Sequence, residues 1–93
     1  MSNFITTLTQ IIEDRKQHPK PDSYTNYLLD NPQKAAQKVG EEATEVVIAA
    51  LVQNDDRLLD ESADLVYHTL VLLSTRNLRW EQVLQRLAER HKP

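Results

Sequence analysis

The sequence predicts a single all-α domain, residues 1–93, in which four to five helices form an antiparallel bundle that is completed by dimerisation. Three observations predict this fold class. Apolar residues recur at spacings of three and four along most of the chain, which is the helical period. The chain has one Gly and four Pro, a composition that favours helices over strands. An apolar fraction of 40% forms only a modest core at this length.

Composition excludes several classes of protein. The chain has no Cys, so neither a disulfide framework nor a thiolate metal site can form. A formal net charge of -3 provides no basic surface for nucleic acid. The segment from Met1 to Thr7 lacks the features of a signal peptide, and no apolar stretch is long enough to span a membrane. We therefore expect a cytoplasmic protein that binds neither nucleic acid nor membranes.

The first helix is predicted over residues 3–17, with Ser2 as its N-cap. Pro19 and Pro21 then exclude a continuous helix, so residues 18–29 are predicted to form a connector. Hydroxyl side chains in such a connector favour caps and packing, and contact with a ligand is the alternative. These hydroxyl groups belong to Ser23, Tyr24 and Thr25.

A second helix is predicted to begin with Asn31 as N-cap and Pro32 at the first helical position, and to run to about Gln53. Gly40 lies inside this helix, where Gly is roughly 1 kcal/mol less favourable than Ala. We therefore expect another backbone or a ligand to approach closely at Gly40. The stripe predicted to face the core comprises Ala36, Val39, Ala43, Val46, Val47 and Ala50.

The third helix is the most apolar part of the chain. We expect Asn54 to end the second helix in the left-handed conformation. Asp55 or Asp56 then caps the third helix, which runs to about Arg76. Because apolar residues surround this helix on nearly all sides, we infer a partner surface and a homodimer. Asn77 ends the helix, and a last helix from Trp80 to His91 is predicted to bury Trp80, Val83, Leu84 and Leu87.

Five carboxylates form two groups in the middle of the chain. Glu41, Glu42 and Glu45 lie on the second helix, and Glu61 and Asp64 lie on the third, after an interval of fifteen residues. Residues three or four apart share a helix face, so two antiparallel helices can bring both groups together. So many like charges repel unless a cation lies between them, and oxygen-only ligands suit Mg²⁺, with Mn²⁺ as a substitute. A solvated acidic face explains the first group alone, but carboxylates in so apolar a helix need compensation.

Two lysines and a histidine accompany the carboxylates. Lys38 and Lys34 precede the acidic cluster by about one and two turns, where they can neutralise phosphate oxygens. His68 follows Asp64 by one turn, either as a group that supports the site or as a packing histidine. The Glu-x-x-His motifs of a di-iron bundle are missing, since Ile48 and Asp64 stand where the histidines would be. The pattern favours attack by a metal-activated water on a phosphoanhydride, with one carboxylate as general base.

Several of these stretches resemble a known family. Glu41-Glu42-x-x-Glu45 and Glu61-x-x-Asp64 resemble the signature of the all-α nucleoside triphosphate pyrophosphohydrolases, the MazG-like superfamily. More narrowly, the chain is similar to the phosphoribosyl-ATP pyrophosphohydrolases. The stretches that carry this likeness are Ser23-Tyr24-Thr25, Gln37-Lys38-Val39-Gly40-Glu41-Glu42-Ala43 and Ala63-Asp64-Leu65-Val66-Tyr67-His68.

The resemblance implies an Mg²⁺-dependent enzyme of histidine biosynthesis, at least dimeric, that cleaves the nucleotide phosphoribosyl-ATP between its α and β phosphates. The products are phosphoribosyl-AMP and pyrophosphate. Family members are often fused to a cyclohydrolase with cysteine ligands, and this chain, without Cys, is expected to be a stand-alone form. The implied metal ligands are Glu42, Glu45, Glu61 and Asp64, with Glu41 beside them among the catalytic carboxylates. Substrate contacts are expected from Ser23, Tyr24, Thr25, Lys34, Lys38 and His68.

Two alternatives remain open. One is a related pyrophosphohydrolase that removes non-standard nucleotides, against which the Ser23-Tyr24-Thr25 stretch speaks. The other is a non-catalytic helical dimerisation module whose acidic face is only solvated. A panel of nucleotide substrates separates the first alternative from the main hypothesis, and a measurement of Mg²⁺ binding separates the second.

Overall fold

The computed structural model describes residues 3–93, which form five α-helices and, within that range, no strand. The predicted all-α class is confirmed. None of these five helices is both long and apolar enough to cross a membrane. The helices are α1 (Phe4–Gln17), α2 (Tyr24–Asp30), α3 (Pro32–Val52), α4 (Asp55–Thr75) and α5 (Trp80–Arg90).

The N-terminus of α1 is capped by Asn3. The Asn3 Oδ1 accepts a hydrogen bond of 2.9 Å from the Ile5 N–H. The cap predicted from the sequence, Ser2, lies outside the described residues. Asn and Ser are about equally good N-caps, so two adjacent candidates could not be separated by residue type alone.

The connector predicted after α1 interrupts the helix as expected, and it contains the short helix α2, which the sequence analysis did not place. Ser23 is the N-cap of α2, and its hydroxyl accepts a hydrogen bond from the Asn26 N–H at 3.1 Å. The buried Asn26 side chain accepts from the Lys20 N–H at 2.8 Å and donates to the Arg15 carbonyl at 2.7 Å. These bonds hold the proline-containing turn compactly between α1 and α2, so a helix of one to two turns can form after it.

α3 and α4 pack along one another as an antiparallel hairpin. The Asn54 Oδ1 accepts a hydrogen bond of 2.9 Å from the Arg57 N–H, and the Asn54 φ angle is -123°. Asn54 therefore caps the start of α4, and the prediction that it ends α3 in the left-handed conformation was wrong. Asp55 and Asp56 lie in the first turn of α4, where the helix dipole stabilises acidic side chains.

α3 begins at Pro32 as predicted, but the preceding Asn31 makes no side-chain cap. Its amide group instead donates to the Tyr27 carbonyl at 2.7 Å, which ties the end of α2 to the start of α3. The buried residues of α3 are Ala35 and Ala49. Of the predicted stripe, Val39, Ala43 and Val46 are partly buried, whereas Ala36, Val47 and Ala50 are exposed.

Gly40 lies on an exposed part of α3. A methyl group added there would meet no described atom within 4 Å outside the adjacent residues and backbone of its own helix. The close approach expected at Gly40 is therefore not made within residues 3–93. A helix-interior Gly is required by packing only when something fills the space beside it, and this chain leaves that space open.

The core lies between α1, α2 and the ends of α3 and α4. Its buried residues are Ile12, Leu28, Ala35, Leu70 and Val71, with Trp80 packed against them. α4 ends, as predicted, at Asn77, whose φ of 57° places it in the left-handed region. The N–H groups of Asn77 and Leu78 donate to the carbonyls of Ser74 and Leu73, which completes a Schellman motif.

α5 packs on the rest of the molecule mainly through its first residue. Trp80 contacts the core and Val83 is partly buried. Leu84 and Leu87, predicted to be inside, are exposed. The amphipathic pattern of α5 is present, but the described chain provides no second surface against which these leucines can pack.

Candidate metal and substrate site

Three carboxylates from the two hairpin helices converge on one place. Glu42 of α3 and Glu61 and Asp64 of α4 each offer a carboxylate oxygen, and these oxygens lie within 4.8 Å of one another. Glu61 and Asp64 are three residues apart and share a face, and the antiparallel pairing places Glu42 opposite them. The structure thus brings together one member of the first acidic group and both members of the second. We call these residues the carboxylate cluster.

Glu61 is the most confined member of the carboxylate cluster, with a relative exposure of 7%. Burial raises its pKa, and the charges of Glu42, Asp64 and Glu45 raise it further, against the opposing effect of Arg57. The Arg57 Nη2 donates to the Glu61 Oε1 at 2.9 Å. The single positive charge of Arg57 does not neutralise the carboxylates around it, so the carboxylate cluster keeps a net negative charge that a further cation can neutralise.

Lys38 lies against the acidic residues of its own helix. Its Nζ is 3.3 Å from a carboxylate oxygen of Glu41 and 3.5 Å from one of Glu42. Burial alone would lower the Lys38 pKa, but the hydrogen bond with Glu41 and the nearby negative charges outweigh it, and the pKa is raised. The Glu41 pKa is lowered by hydrogen bonds from Gln37, at 2.9 Å, and from Lys38. Lys38 and Glu41 therefore remain charged around neutral pH.

His68 connects α2 to the carboxylate cluster. Its Nδ1 lies 2.7 Å from the Asp64 carbonyl, which can only accept, so Nδ1 carries the proton. Its Nε2 lies 2.9 Å from the Tyr24 hydroxyl, and in the neutral imidazole Nε2 accepts a hydrogen bond from that hydroxyl. His68 is buried, and its two bonds fix the ring orientation. Burial raises the Tyr24 pKa against the opposing charge of Lys38, so the hydroxyl keeps its proton.

The remaining residues predicted for the site have more varied positions. Glu45 is exposed, one turn beyond Glu42, and is not part of the carboxylate cluster. Lys34 is partly buried near the start of α3. Ser23 caps α2, and the Thr25 hydroxyl bonds the Tyr67 hydroxyl. Each hydroxyl of the Ser-Tyr-Thr stretch therefore has a partner within the chain.

Two neighbours of the acidic residues were not paired with them in the sequence analysis. Arg57 precedes its partner Glu61 by four residues, and Gln37 precedes its partner Glu41 by four. This spacing is the usual one for side-chain pairs on a helix, so it was the signal available. It does not reveal which pair borders a functional site, because that depends on the facing helix.

An all-helical chain whose antiparallel hairpin carries facing acidic motifs belongs, by fold and site, with the all-α pyrophosphohydrolases. Comparison with known proteins gives the same class and narrows it. The profile of the family described as "Phosphoribosyl-ATP pyrophosphohydrolase" matches residues 5–91. The chain belongs to this family, and the family expected from the sequence is confirmed.

Curated relatives agree with the family match, and each carries the name phosphoribosyl-ATP pyrophosphatase. The relative from Clostridium acetobutylicum is 42% identical over 92 residues, which cover 98% of this chain and 84% of the relative. The relative from Lactiplantibacillus plantarum is 49% identical over 84 residues, covering 89% and 79%. A Bacillus cereus relative is 40% identical over 92 residues, covering 98% and 86%.

Proposed function

We propose that this chain hydrolyses phosphoribosyl-ATP between its α and β phosphates, releasing phosphoribosyl-AMP and pyrophosphate in histidine biosynthesis. The observation that carries the proposal is the convergence of Glu42, Glu61 and Asp64 within 4.8 Å in a chain of this family. Relatives that share the name of this activity align with 98% of the chain, so the likeness extends over the whole domain.

The carboxylate cluster fits a hard divalent cation, because its donors are oxygens only and its negative charge exceeds that of Arg57. We propose Mg²⁺, with Mn²⁺ as a substitute, held by Glu42, Glu61 and Asp64, and by Glu45 one turn away. Bound there, the ion would polarise the phosphoanhydride and increase the acidity of a bound water.

The chain's own cations complement the phosphates. Lys38 already lies within 3.5 Å of Glu42 and stays protonated, so it is placed to bind a phosphate oxygen beside the cluster. Lys34 lies one turn earlier on α3 and extends this positive edge. Both ammonium groups would stabilise the negative charge that grows on the departing pyrophosphate.

The lowered pKa of Glu41 makes it a weaker proton acceptor than an ordinary glutamate. We therefore assign Glu41, which lies 3.3 Å from the Lys38 Nζ, to the orientation of Lys38 rather than to proton transfer. Of the Ser-Tyr-Thr stretch, Tyr24 is best placed for substrate contact, since the residue is 47% exposed while its hydroxyl is held by His68.

We also propose that the working form is a homodimer. Along the second half of α3, Val47, Ile48, Leu51 and Val52 are exposed, the last two by 77% and 76%, and Leu59 of α4 is 69% exposed. Such a concentration of apolar side chains at one end of the hairpin is typical of an interface. A cytoplasmic location stays a prediction from the sequence.

Product analysis tests the proposed reaction. Purified protein is incubated with phosphoribosyl-ATP and Mg²⁺, and the products are separated by ion-exchange chromatography. We expect phosphoribosyl-AMP and pyrophosphate in equal amounts, and little turnover of other nucleoside triphosphates. Release of orthophosphate, or equal turnover of non-standard nucleotides, would contradict the proposal.

A matched pair of variants connects the activity to the carboxylate cluster. Asp64→Asn removes one charge from the cluster, whereas Asp60→Asn removes one from an exposed position on the same helix. We expect the first change to lower kcat by orders of magnitude and the second to leave kcat near the wild-type value. Equal effects of the two changes would show that the cluster has no special role.

A further inference from the structure

Three tyrosine rings form a row beside the carboxylate cluster, and we call them the aromatic strip. Tyr24 lies at the centre of the row. Its ring centroid is 6.3 Å from that of Tyr27, with an angle of 23° between the planes, and 6.4 Å from that of Tyr67, with an angle of 26°. Tyr24 is therefore stacked with a tyrosine on each of two pairings, and the three rings form one aromatic cluster.

Hydrogen bonds hold two rings of the aromatic strip, those of Tyr24 and Tyr67, and two of its residues, Tyr24 and Tyr27, are exposed. His68 bonds the Tyr24 hydroxyl at 2.9 Å and packs edge-on against both Tyr24 and Tyr67, while Thr25 bonds the Tyr67 hydroxyl. Tyr24 and Tyr27 are nevertheless each 47% exposed. Tyr24 is thus both held and exposed, and a ring that is fixed before a ligand arrives loses little conformational freedom on binding.

The aromatic strip lies close to the groups that are proposed to bind the metal and the phosphates. The Tyr24 hydroxyl is joined to the Asp64 carbonyl through a single imidazole, that of His68. Lys38, whose Nζ lies 3.5 Å from Glu42, is close enough to Tyr24 for its charge to act on the phenol. A nucleotide with its phosphates at Lys38 and the carboxylate cluster would therefore have its base near this strip.

Resting on the proposed function, we propose that Tyr24 and Tyr27 bind the purine ring of the substrate and select adenine substituted at N1. Purine rings stack on aromatic side chains whatever their sequence context. An N1 substituent converts adenine into an amidine-type base that binds a proton far more readily than adenine itself. The negative face of tyrosine attracts such a cationic ring more strongly than a neutral one.

The test compares Tyr27→Leu with Tyr27→Phe. The leucine variant keeps apolar bulk without a ring, and the phenylalanine variant keeps the ring. We expect Tyr27→Leu to raise KM for phosphoribosyl-ATP about 5- to 150-fold, with kcat changed far less, since stacking is worth about 1–3 kcal/mol. Tyr27→Phe should restore most of the affinity. Phe4→Leu, which replaces an exposed aromatic residue of α1 outside the strip, serves as the control.

A binding measurement separates this proposal from the proposed reaction. Calorimetry with Mg²⁺ compares phosphoribosyl-AMP with AMP on the wild type and on Tyr27→Leu. We expect the wild type to prefer phosphoribosyl-AMP and the variant to lose most of that preference, whether or not the wild type turns over phosphoribosyl-ATP. Unchanged KM and unchanged preference in Tyr27→Leu would overturn the strip's role. So would light scattering that shows the variant dissociating, because Tyr27 would then belong to a subunit interface.

Discussion

Asp64→Asn gives the sharpest test of the carboxylate cluster, because its effect on stability should change sign with metal. Asp64 is exposed, and its carboxylate oxygen lies within 4.8 Å of those of Glu42 and Glu61. Two unit charges at such a distance repel by about 1 kcal/mol in a water-like dielectric and by more near buried groups. In the absence of divalent metal, removal of the Asp64 charge should therefore stabilise the fold.

With Mg²⁺ the order of stabilities should reverse, so that the wild type is more stable than Asp64→Asn. A wild-type protein at a Mg²⁺ concentration 100 times its dissociation constant gains about 2.7 kcal/mol of unfolding free energy. A variant whose affinity is 100-fold weaker gains only about 0.4 kcal/mol at the same concentration. The difference of about 2.3 kcal/mol exceeds the repulsion of about 1 kcal/mol for each of the two pairs that Asp64 forms with Glu42 and Glu61 in a water-like dielectric. For a domain of this size each kcal/mol moves Tm by about 4–8 °C, so the crossover is easily measured.

The assay is thermal unfolding at one protein concentration, with chelator and then with saturating Mg²⁺, on wild type, Asp64→Asn and Asp60→Asn. We expect Asp64→Asn to melt above wild type with chelator and below it with Mg²⁺, while Asp60→Asn follows the wild type in both. If wild type gains no stability from Mg²⁺, or if Asp64→Asn stays on one side of it throughout, the three carboxylates do not share a cation.

Three further predictions address other features. The Glu61 pKa is higher in the native state than in the unfolded state, so the metal-free native state binds more protons and its free energy of unfolding falls as pH rises between the two pKa values. Denaturant unfolding of Glu61→Gln should lack that fall. An equal fall in the variant would show that Glu61 is not the group responsible. Gly40→Ala should raise stability by roughly 0.5–1 kcal/mol by denaturant unfolding, because its methyl group meets open space; lower stability or lost turnover would mean that a partner or substrate approaches there. Leu51→Asp should convert the proposed dimer to monomer by light scattering, whereas Asp60→Asn should not.

The fold class and the approximate ranges of the long helices were predictable because they depend on local patterns. Apolar spacing and the Pro32 signal placed α3, and the Asn77 signal placed the end of α4. The cap of α4 was mistaken because Asn favours both the left-handed end of one helix and the cap of the next. At Asn54 the φ angle of -123° and the bond from the Arg57 N–H show the second use, the cap of α4.

Within the site, the spacing of residues along one helix correctly predicted which of them share a face. It did not predict which residues of the facing helix lie opposite them. Glu61 and Asp64 share a face as expected, but of the first acidic group only Glu42 lies in the carboxylate cluster, and Glu45, one turn further along α3, does not. Val47, which the sequence placed in the core stripe, is exposed. A helix with apolar residues on two sides, as α3 has, leaves its rotation undetermined by pattern alone.

The role of α2 could not be inferred from its sequence, because its bonds reach residues more than forty positions away. Tyr24 bonds His68 and Thr25 bonds Tyr67. Loop hydroxyl groups favour caps in general, and Ser23 follows that rule. Tyr24 and Thr25 instead form hydrogen bonds with residues of α4, which only the tertiary fold brings close to them.

The core and the site occupy opposite halves of α4, which explains how a small domain tolerates a buried carboxylate. Leu70 and Val71 belong to the packed C-terminal half, while Glu61 lies in the N-terminal half. That N-terminal half is also next to the exposed apolar end of the hairpin, where Leu51 and Leu59 lie. Covering these side chains in the proposed dimer would remove water from the vicinity of Glu61 and make the excess negative charge of the carboxylate cluster more costly. Cation binding would then favour the dimer and the dimer would favour cation binding, so Mg²⁺ affinity should fall with subunit dissociation in Leu51→Asp even though no ligand is changed.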